Sequence, residues 1–148
     1  MKRLPLCFSI LLLTTGLLTA APEADQYKLG SDSMPKDGVP KGEVKQMPAW
    51  TESKVFPGTT RDWWLYIPAQ YKPETPANVM VFCDGGGFVK ADGNFRVPTV
   101  FDNLIAAGEM PVTIGIFLTP GQRGDTFPDD IGTGNPNNRD REYDVLDD

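Results

Sequence analysis

A run of strand-forming residues that ends in three glycines constrains this chain more than any other feature. Residues 79–83 read VMVFC, and Asp84 and the glycines at positions 85 to 87 follow directly. Glycines add no packing and cost conformational entropy, so three together indicate a sharp turn or a close approach of the main chain to a ligand. The pattern predicts a buried strand that delivers backbone N–H groups to a site.

Two further strand-like runs precede this strand. They cover residues 43–56 and 60–67, and Pro57-Gly58, a strong turn dipeptide, separates them. This arrangement predicts a β-hairpin. The second run carries large apolar groups on both of its faces, which is typical of a strand inside a layered protein.

The residues after the glycines predict a helix and then another strand. Apolar residues recur with near-helical spacing from Val100 to Ala106, and Gly108 is a plausible helix stop. Residues 111–118 form a second apolar run. Strand, glycine turn, helix and strand make one βαβ unit, so the sequence predicts an α/β fold with parallel strands. With only these strands, the sheet would keep an unpaired apolar edge, which is an aggregation hazard.

The amino terminus has the composition of a secretory signal peptide. Lys2 and Arg3 precede an apolar run, and small residues follow it up to Ala21. We expect residues 1–20 to be a signal peptide that is cleaved near Ala20, and the chain to be exported to a periplasm or secreted. The apolar run is short for a membrane span, so we expect no membrane-spanning segment.

Beyond the signal peptide, composition predicts two regions. Residues 21–41 are rich in Pro, Gly, Ser and charge, which predicts a flexible leader, and residues 42–148 form one domain. Loss of Lys2 and Arg3 with the signal changes the net charge from -6 to -8 (-6 minus 2). This charge argues against nucleic acid as a partner.

The sequence predicts neither a cofactor nor a metal site. The glycines match no dinucleotide fingerprint and no phosphate-binding loop, and the carboxylates have no calcium-loop spacing. Cys83 is the one cysteine after the signal, which excludes an intramolecular disulfide in the mature chain. Its place at the end of an apolar strand is typical of a small buried hydrophobe.

Three motifs together resemble a known family. They are TTRDWWLYIP at 59–68, VFCDGGGF at 81–88 and NRDREYD at 138–144. In this order they are similar to the enterochelin-esterase-like family of α/β hydrolases. The resemblance covers residues 42–148 and implies a doubly wound, mainly parallel sheet with an antiparallel amino-terminal hairpin. It also implies a serine nucleophile on a G-x-S-x-G elbow, a later acid and histidine, and a small-molecule ester as substrate.

The chain departs from that family at the catalytic residues. It contains no histidine and no G-x-S-x-G, and its serines after the signal are Ser31, Ser33 and Ser53. No Ser-His-acid relay can be assembled from these residues. We therefore expect an amino-terminal portion of an exported serine esterase, with no catalytic residue in this chain and no activity on its own.

The resemblance implies a set of site residues. The backbone N–H groups of Gly86, Gly87 and Phe88 are the oxyanion-hole candidates, and pre-placed donors of this kind contribute roughly 3 kcal/mol each. The candidates for substrate binding are Asp84, Arg139, Glu142, Tyr143 and Asp144. For Asp84, capping of nearby N–H groups is the favoured role. Arg139 is expected to pair with Glu142 or Asp144.

A second reading stays open. Trp50, Trp63 and Trp64 could stack on sugars in a small exported module that binds a carbohydrate or another protein. Tryptophans of this kind are more often part of a core. The esterase hypothesis is therefore favoured over the binding-module hypothesis.

Overall fold

The computed structural model describes residues 28–122 and 139–144, the side chains of Asp140 and Asp144 excepted. The signal-peptide prediction and the beginning of the predicted leader lie outside these residues. The described elements, in chain order, are a single 3-10 turn (Ser31–Ser33), β1 (Glu43–Gln46), β2 (Trp63–Ile67), β3 (Asn78–Cys83), α1 (Gly85–Val89), α2 (Val97–Ala106), β4 (Thr113–Leu118) and a π-helical turn (Asp140–Asp144).

The four strands form one mixed sheet in the order β1-β2-β4-β3. β1 pairs antiparallel with β2, which confirms the predicted hairpin pairing, although β1 ends at Gln46 instead of continuing to residue 56. Pro48 follows and cannot donate to the ladder, which is a physical reason for the early end. The pairing resumes only as an isolated bridge between Trp50 and Arg61.

The predicted βαβ unit is present. β3 and β4 are parallel neighbours, and α1 and α2 connect them. Helix α2 ends as the sequence predicts, because Gly108 adopts the left-handed region at φ 74°. The N–H of Gly108 donates to the carbonyl of Ile105 (3.1 Å) and that of Glu109 to Leu104 (3.0 Å), the paired bonds that close a Schellman motif.

One face of the sheet forms the core with α2. The ring of Phe82 stacks on that of Phe117 at 4.9 Å, and Tyr66 meets Phe101 edge-on at 5.6 Å. Phe88 of α1 packs against the same cluster. Both described helices thus lie on one face, and the doubly wound arrangement, with helices on both faces, stays a prediction.

The prediction that β3 is a buried strand is wrong for the described residues. Its burial pattern is exposed along almost its whole length, with Val79 58%, Met80 43% and Val81 54% exposed. The reason is topological, because β4 inserts between β2 and β3 and leaves β3 at the edge of the described sheet. Cys83, expected to be buried, is exposed for the same reason. The unpaired apolar edge expected from the sequence is this strand.

Two polar groups on α2 hold the residues that precede β1. The side-chain amide of Asn103 donates to the carbonyls of Asp32 (2.8 Å) and Met34 (2.9 Å), within the segment predicted as leader. The carboxylate of Asp102 accepts from the N–H of Gly42 (2.7 Å) and from the hydroxyl of Tyr66 (2.6 Å). Residues 32 to 42 are therefore attached to the helical face of the sheet.

Candidate functional site

The chain turns sharply where β3 ends. Asp84 adopts the left-handed region (φ 57°, ψ 33°), and the short helix α1 begins at Gly85. Aspartate is one of the few non-glycine residues that enter this region at modest cost. The sequence predicted a sharp turn at the glycines, and in the structure they follow that turn as the first residues of a short helix.

The three glycines are not equivalent. A Cβ at Gly85 would overlap the backbone of Phe117 and Leu118, so only glycine allows α1 to pack this closely on β4. Gly85 and Gly86 are buried, whereas a Cβ at Gly87 would meet open space. Close packing therefore explains the first glycine and does not explain the third.

The predicted oxyanion donors differ in the same way. The N–H of Gly87 already donates to the carbonyl of Asp84 at 3.0 Å. Phe88 is the fourth residue of α1, where the ladder of a helix begins to use the N–H groups. Gly86 is the second residue, and the ladder leaves its N–H unused. Of the three candidates, Gly86 is therefore the one whose N–H is used neither by the bond to Asp84 nor by the helical ladder.

An ion pair braces this turn. Arg139 donates from Nε and Nη2 to the carboxylate of Asp84, at 3.0 Å and 2.9 Å to Oδ2. Both side chains are partly exposed, and the guanidinium also lies 5.8 Å from the ring centre of Tyr143. Asp84 makes no side-chain cap to α1, so the expected capping role is wrong. Arg139 pairs with Asp84, and Glu142, one of the two partners expected from the sequence, pairs with Arg61. The side chain of Asp144, the other expected partner, lies outside the described residues.

Glu142 lies in a second, buried ion pair. Its side chain is 2% exposed and that of Arg61 is 8% exposed. Oε2 accepts from Arg61 Nη1 (3.2 Å) and from the N–H of Gly121 (3.0 Å), and Oε1 accepts from Arg61 Nη2 (3.3 Å). Contact of this carboxylate with a substrate would require breaking the pair.

Arg61 is the residue that sequence reasoning missed. It lies in the run before β2, and its guanidinium also donates to Thr59 Oγ1 (3.2 Å) and lies 5.0 Å from the ring of Trp50. Its Nε is buried without an acceptor among the described residues. The available signal was a charged residue at the start of a run that is apolar from Trp63 onward, because charged residues are rarely buried unless paired.

Tyr143 completes the group at the carboxyl end of β3. Burial raises the pKa of its phenol, and the nearby Cys83, Glu142 and Asp84 raise it further, against the opposing effect of Arg61. The hydroxyl therefore stays protonated at neutral pH and can donate a hydrogen bond. The side chain of Asp144, the remaining substrate-binding candidate, lies outside the described residues.

The tryptophans do not form one platform. Trp64 is 5% exposed and belongs to the core. Trp50 and Trp63 line a shallow hollow with Ile116 and Leu118 on the opposite face of the sheet. The three-tryptophan surface considered from the sequence is therefore wrong, and a pair remains.

The described residues contain no group of three or more His, Cys, Asp or Glu side chains placed to hold a metal ion. Within the same residues, no helix is long and apolar enough to cross a membrane.

No protein-family model matches this chain, and no curated protein matches it. Solved structures do match in fold. One is a structure of a protein called FAE, with a TM-score of 0.51 and 20% identity. Another is a mutant of the feruloyl esterase module from Clostridium thermocellum in complex with sinapinate, with a TM-score of 0.50 and 21% identity.

Each of these matches covers 67% of this chain and 34% of the other. The aligned region thus spans about one third of the length of the solved chains. The mixed sheet of this protein is similar to that of esterase structures.

Proposed function

We propose that residues 42–148 are the amino-terminal portion of an esterase domain of the enterochelin-esterase-like kind. The chain supplies oxyanion-hole donors for a small-molecule ester, and the nucleophile and histidine come from residues that it does not contain. The fold similarity to feruloyl esterase modules supports this proposal. The full doubly wound sheet belongs to the same proposal.

The observation that carries the proposal is the turn between β3 and α1. It lies at the carboxyl end of a parallel strand, where α/β sheets build their sites. It has a buried glycine, Gly86, whose N–H the helical ladder does not use. The Arg139 guanidinium pairs with Asp84 and so neutralises a carboxylate that would otherwise repel an anion at the same place. Backbone donors of this kind stabilise the negative oxygen that forms when an ester carbonyl is attacked.

The similarity suggests which substrate class to test first. Since one of the similar structures is a feruloyl esterase module with sinapinate, an ester of an aromatic acid is the first class to test. Without a nucleophile the chain binds such a compound and does not cleave it. No cofactor is required for this role.

Titration of the labelled chain with benzoate, followed by amide NMR, tests the binding role. Benzoate presents an aromatic acid oxyanion, and benzamide, its neutral counterpart of the same shape, is the matched control. We expect benzoate to shift the amide resonances of Gly86 and its neighbours and benzamide to leave them in place. Equal shifts with both compounds, or shifts confined to the opposite face of the sheet, would contradict the proposal.

A second measurement tests the lack of activity. The purified chain should hydrolyse p-nitrophenyl acetate no faster than buffer, because it holds no Ser-His relay. Hydrolysis clearly above the buffer rate would overturn that part of the proposal.

Export is a separate part of the proposal and rests on the sequence of residues 1–20. Expression of the full chain in a bacterium, with amino-terminal sequencing of the product outside the cytoplasm, tests it. We expect a new terminus near Ala21, and an intact Met1 in the cytoplasm would refute export.

The binding-module alternative has one observation in its favour, the hollow that Trp50 and Trp63 line. Exposed aromatic pairs stack on sugar rings. Quenching of tryptophan fluorescence by a xylan oligosaccharide, abolished in Trp50→Ala, would favour that alternative. No quenching is the result that the esterase reading predicts.

A further inference from the structure

One buried carboxylate joins three distant parts of the chain. Glu142 belongs to the π-helical turn Asp140–Asp144, Arg61 precedes β2, and Gly121 follows β4. Both oxygens of Glu142 accept hydrogen bonds, from the guanidinium and from the Gly121 N–H. A charge at 2% exposure is stable only when paired in this way.

The residue directly before this turn makes the contact to the candidate site. Arg139 lies three residues before Glu142, so one short segment of chain positions both side chains. Arg139 reaches Asp84, the residue whose left-handed conformation ends β3 and begins α1. The carbonyl of that same Asp84 accepts the N–H of Gly87. A continuous series of contacts therefore runs from Glu142 to the glycines.

We propose that Glu142 is a positioning residue. Its buried pairing with Arg61 and Gly121 fixes the 140–144 turn, the turn holds Arg139 on Asp84, and Asp84 thereby keeps the Gly86 N–H in place. The inference rests on the proposed function only where it assigns Gly86 to an oxyanion site. The series of contacts itself is independent of any ligand.

Packing at Gly121 supports a strict geometry. A Cβ at this position would overlap Glu142 Oε1, the Arg61 guanidinium and Thr59, so the loop after β4 fits closely around the ion pair. The guanidinium is further restricted by its contacts with Thr59 and Trp50. A carboxylate with these contacts restricts the movement of the turn that follows Arg139.

Hydrogen exchange at the Gly87 amide measures this coupling, because its bond to the Asp84 carbonyl reports whether the turn is closed. The full chain is followed at low micromolar concentration by mass spectrometry with fragmentation. In Glu142→Gln we expect exchange at Gly87 to accelerate about tenfold or more, because the variant leaves Arg61 buried without its counter-charge. Amides in the β2–β4 ladder should keep their rates.

Glu43→Gln is the matched control. It removes the same charge from an exposed ion pair, in which Glu43 Oε2 lies 3.1 Å from Lys45 Nζ. Exposed pairs contribute little, so Gly87 exchange should stay unchanged. An equal acceleration in both variants would refute a specific role for Glu142.

A double variant separates positioning from a general loss of stability. Arg139→Met removes the intermediate contact and should accelerate Gly87 exchange by itself. Glu142→Gln added to Arg139→Met should then produce no further acceleration at Gly87, as for residues that act through one another. Full additivity of the two effects, or faster exchange at Gly121 with none at Gly87, would overturn the proposal.

If the circular dichroism spectrum shows that Glu142→Gln is unfolded, the double variant Arg61→Met with Glu142→Leu is tested in its place. Replacing a whole buried ion pair by apolar residues is often neutral for stability. This variant also lacks the bonds to the turn, so Gly87 exchange should still accelerate about tenfold. Protection equal to that of the parent chain would contradict the role. The exchange experiments contain no ligand, so their outcome does not depend on the benzoate titration. Unchanged Gly87 exchange would refute the role of Glu142 alone, and a negative benzoate titration would refute the binding proposal alone.

Discussion

The two faces of the sheet differ in what covers them, although the same strands build both. On one face, Tyr66 and Phe117 are fully buried beneath α2. On the other, the alternating residues of β2 and β4, such as Leu65 and Ile116, are equally apolar but only half-buried. A soluble antiparallel sheet usually alternates apolar and polar residues. Apolar residues on both faces are typical of a sheet with two covering layers, and the described residues supply one.

The largest expected effect compares neighbours on the two faces. Phe117→Ala should lower the free energy of unfolding by about 3 to 5 kcal/mol, because it leaves a cavity beneath α2. Ile116→Ala, one residue earlier on the open face, should cost about 1 kcal/mol, since that side chain already contacts solvent. Urea denaturation monitored by circular dichroism measures both. Equal losses would mean that the second face is covered after all.

An intermediate effect concerns the polar contact inside the covered face. Burial raises the pKa of Tyr66, and its hydrogen bond to Asp102 and that residue's charge raise the pKa further. A raised pKa in the folded state stabilises the fold below the unfolded value of 10.0. That contribution is lost as the pH rises above about 10.

Tyr66→Phe tests this contact. We expect a loss of about 1 to 2 kcal/mol at neutral pH and a shallower decline of stability in alkaline solution than in the parent chain. Thermal unfolding between neutral pH and the alkaline range gives both quantities. Tyr71→Phe, in the loop after β2, is the control and should change stability by less than about 0.5 kcal/mol. An unchanged alkaline decline in Tyr66→Phe would refute the assignment.

The smallest effect on stability is expected at the sheet edge. Val81→Lys places a charge on exposed β3 and should change the unfolding free energy by less than about 0.5 kcal/mol. Edge charges block pairing between chains, so the variant should self-associate less than the parent chain. Light scattering across a concentration series measures this. Val55→Lys, an exposed control away from the strands, should leave self-association unchanged.

The sequence predicts the local features of the candidate site but not the contacts between distant residues. The strand, the glycines after it and the helix stop at Gly108 are local patterns, and the sequence alone predicts them. The partners of Asp84 and Glu142 are not local, because Arg139 and Arg61 lie 55 and 81 residues away in the chain. Charge and spacing in the sequence identify such residues as candidates and do not select their partners.

The sequence by itself determined the order of the strands and of helix α2, the parallel βαβ unit and the lack of a complete serine relay. These follow from residue type and local periodicity. Only the tertiary structure decided that β3 is an edge strand, because strand order depends on contacts between distant segments, and here β4 lies between β2 and β3. It also decided that the glycines start a helix packed on β4, and that two ion pairs, one exposed and one buried, connect the turn to the rest of the domain.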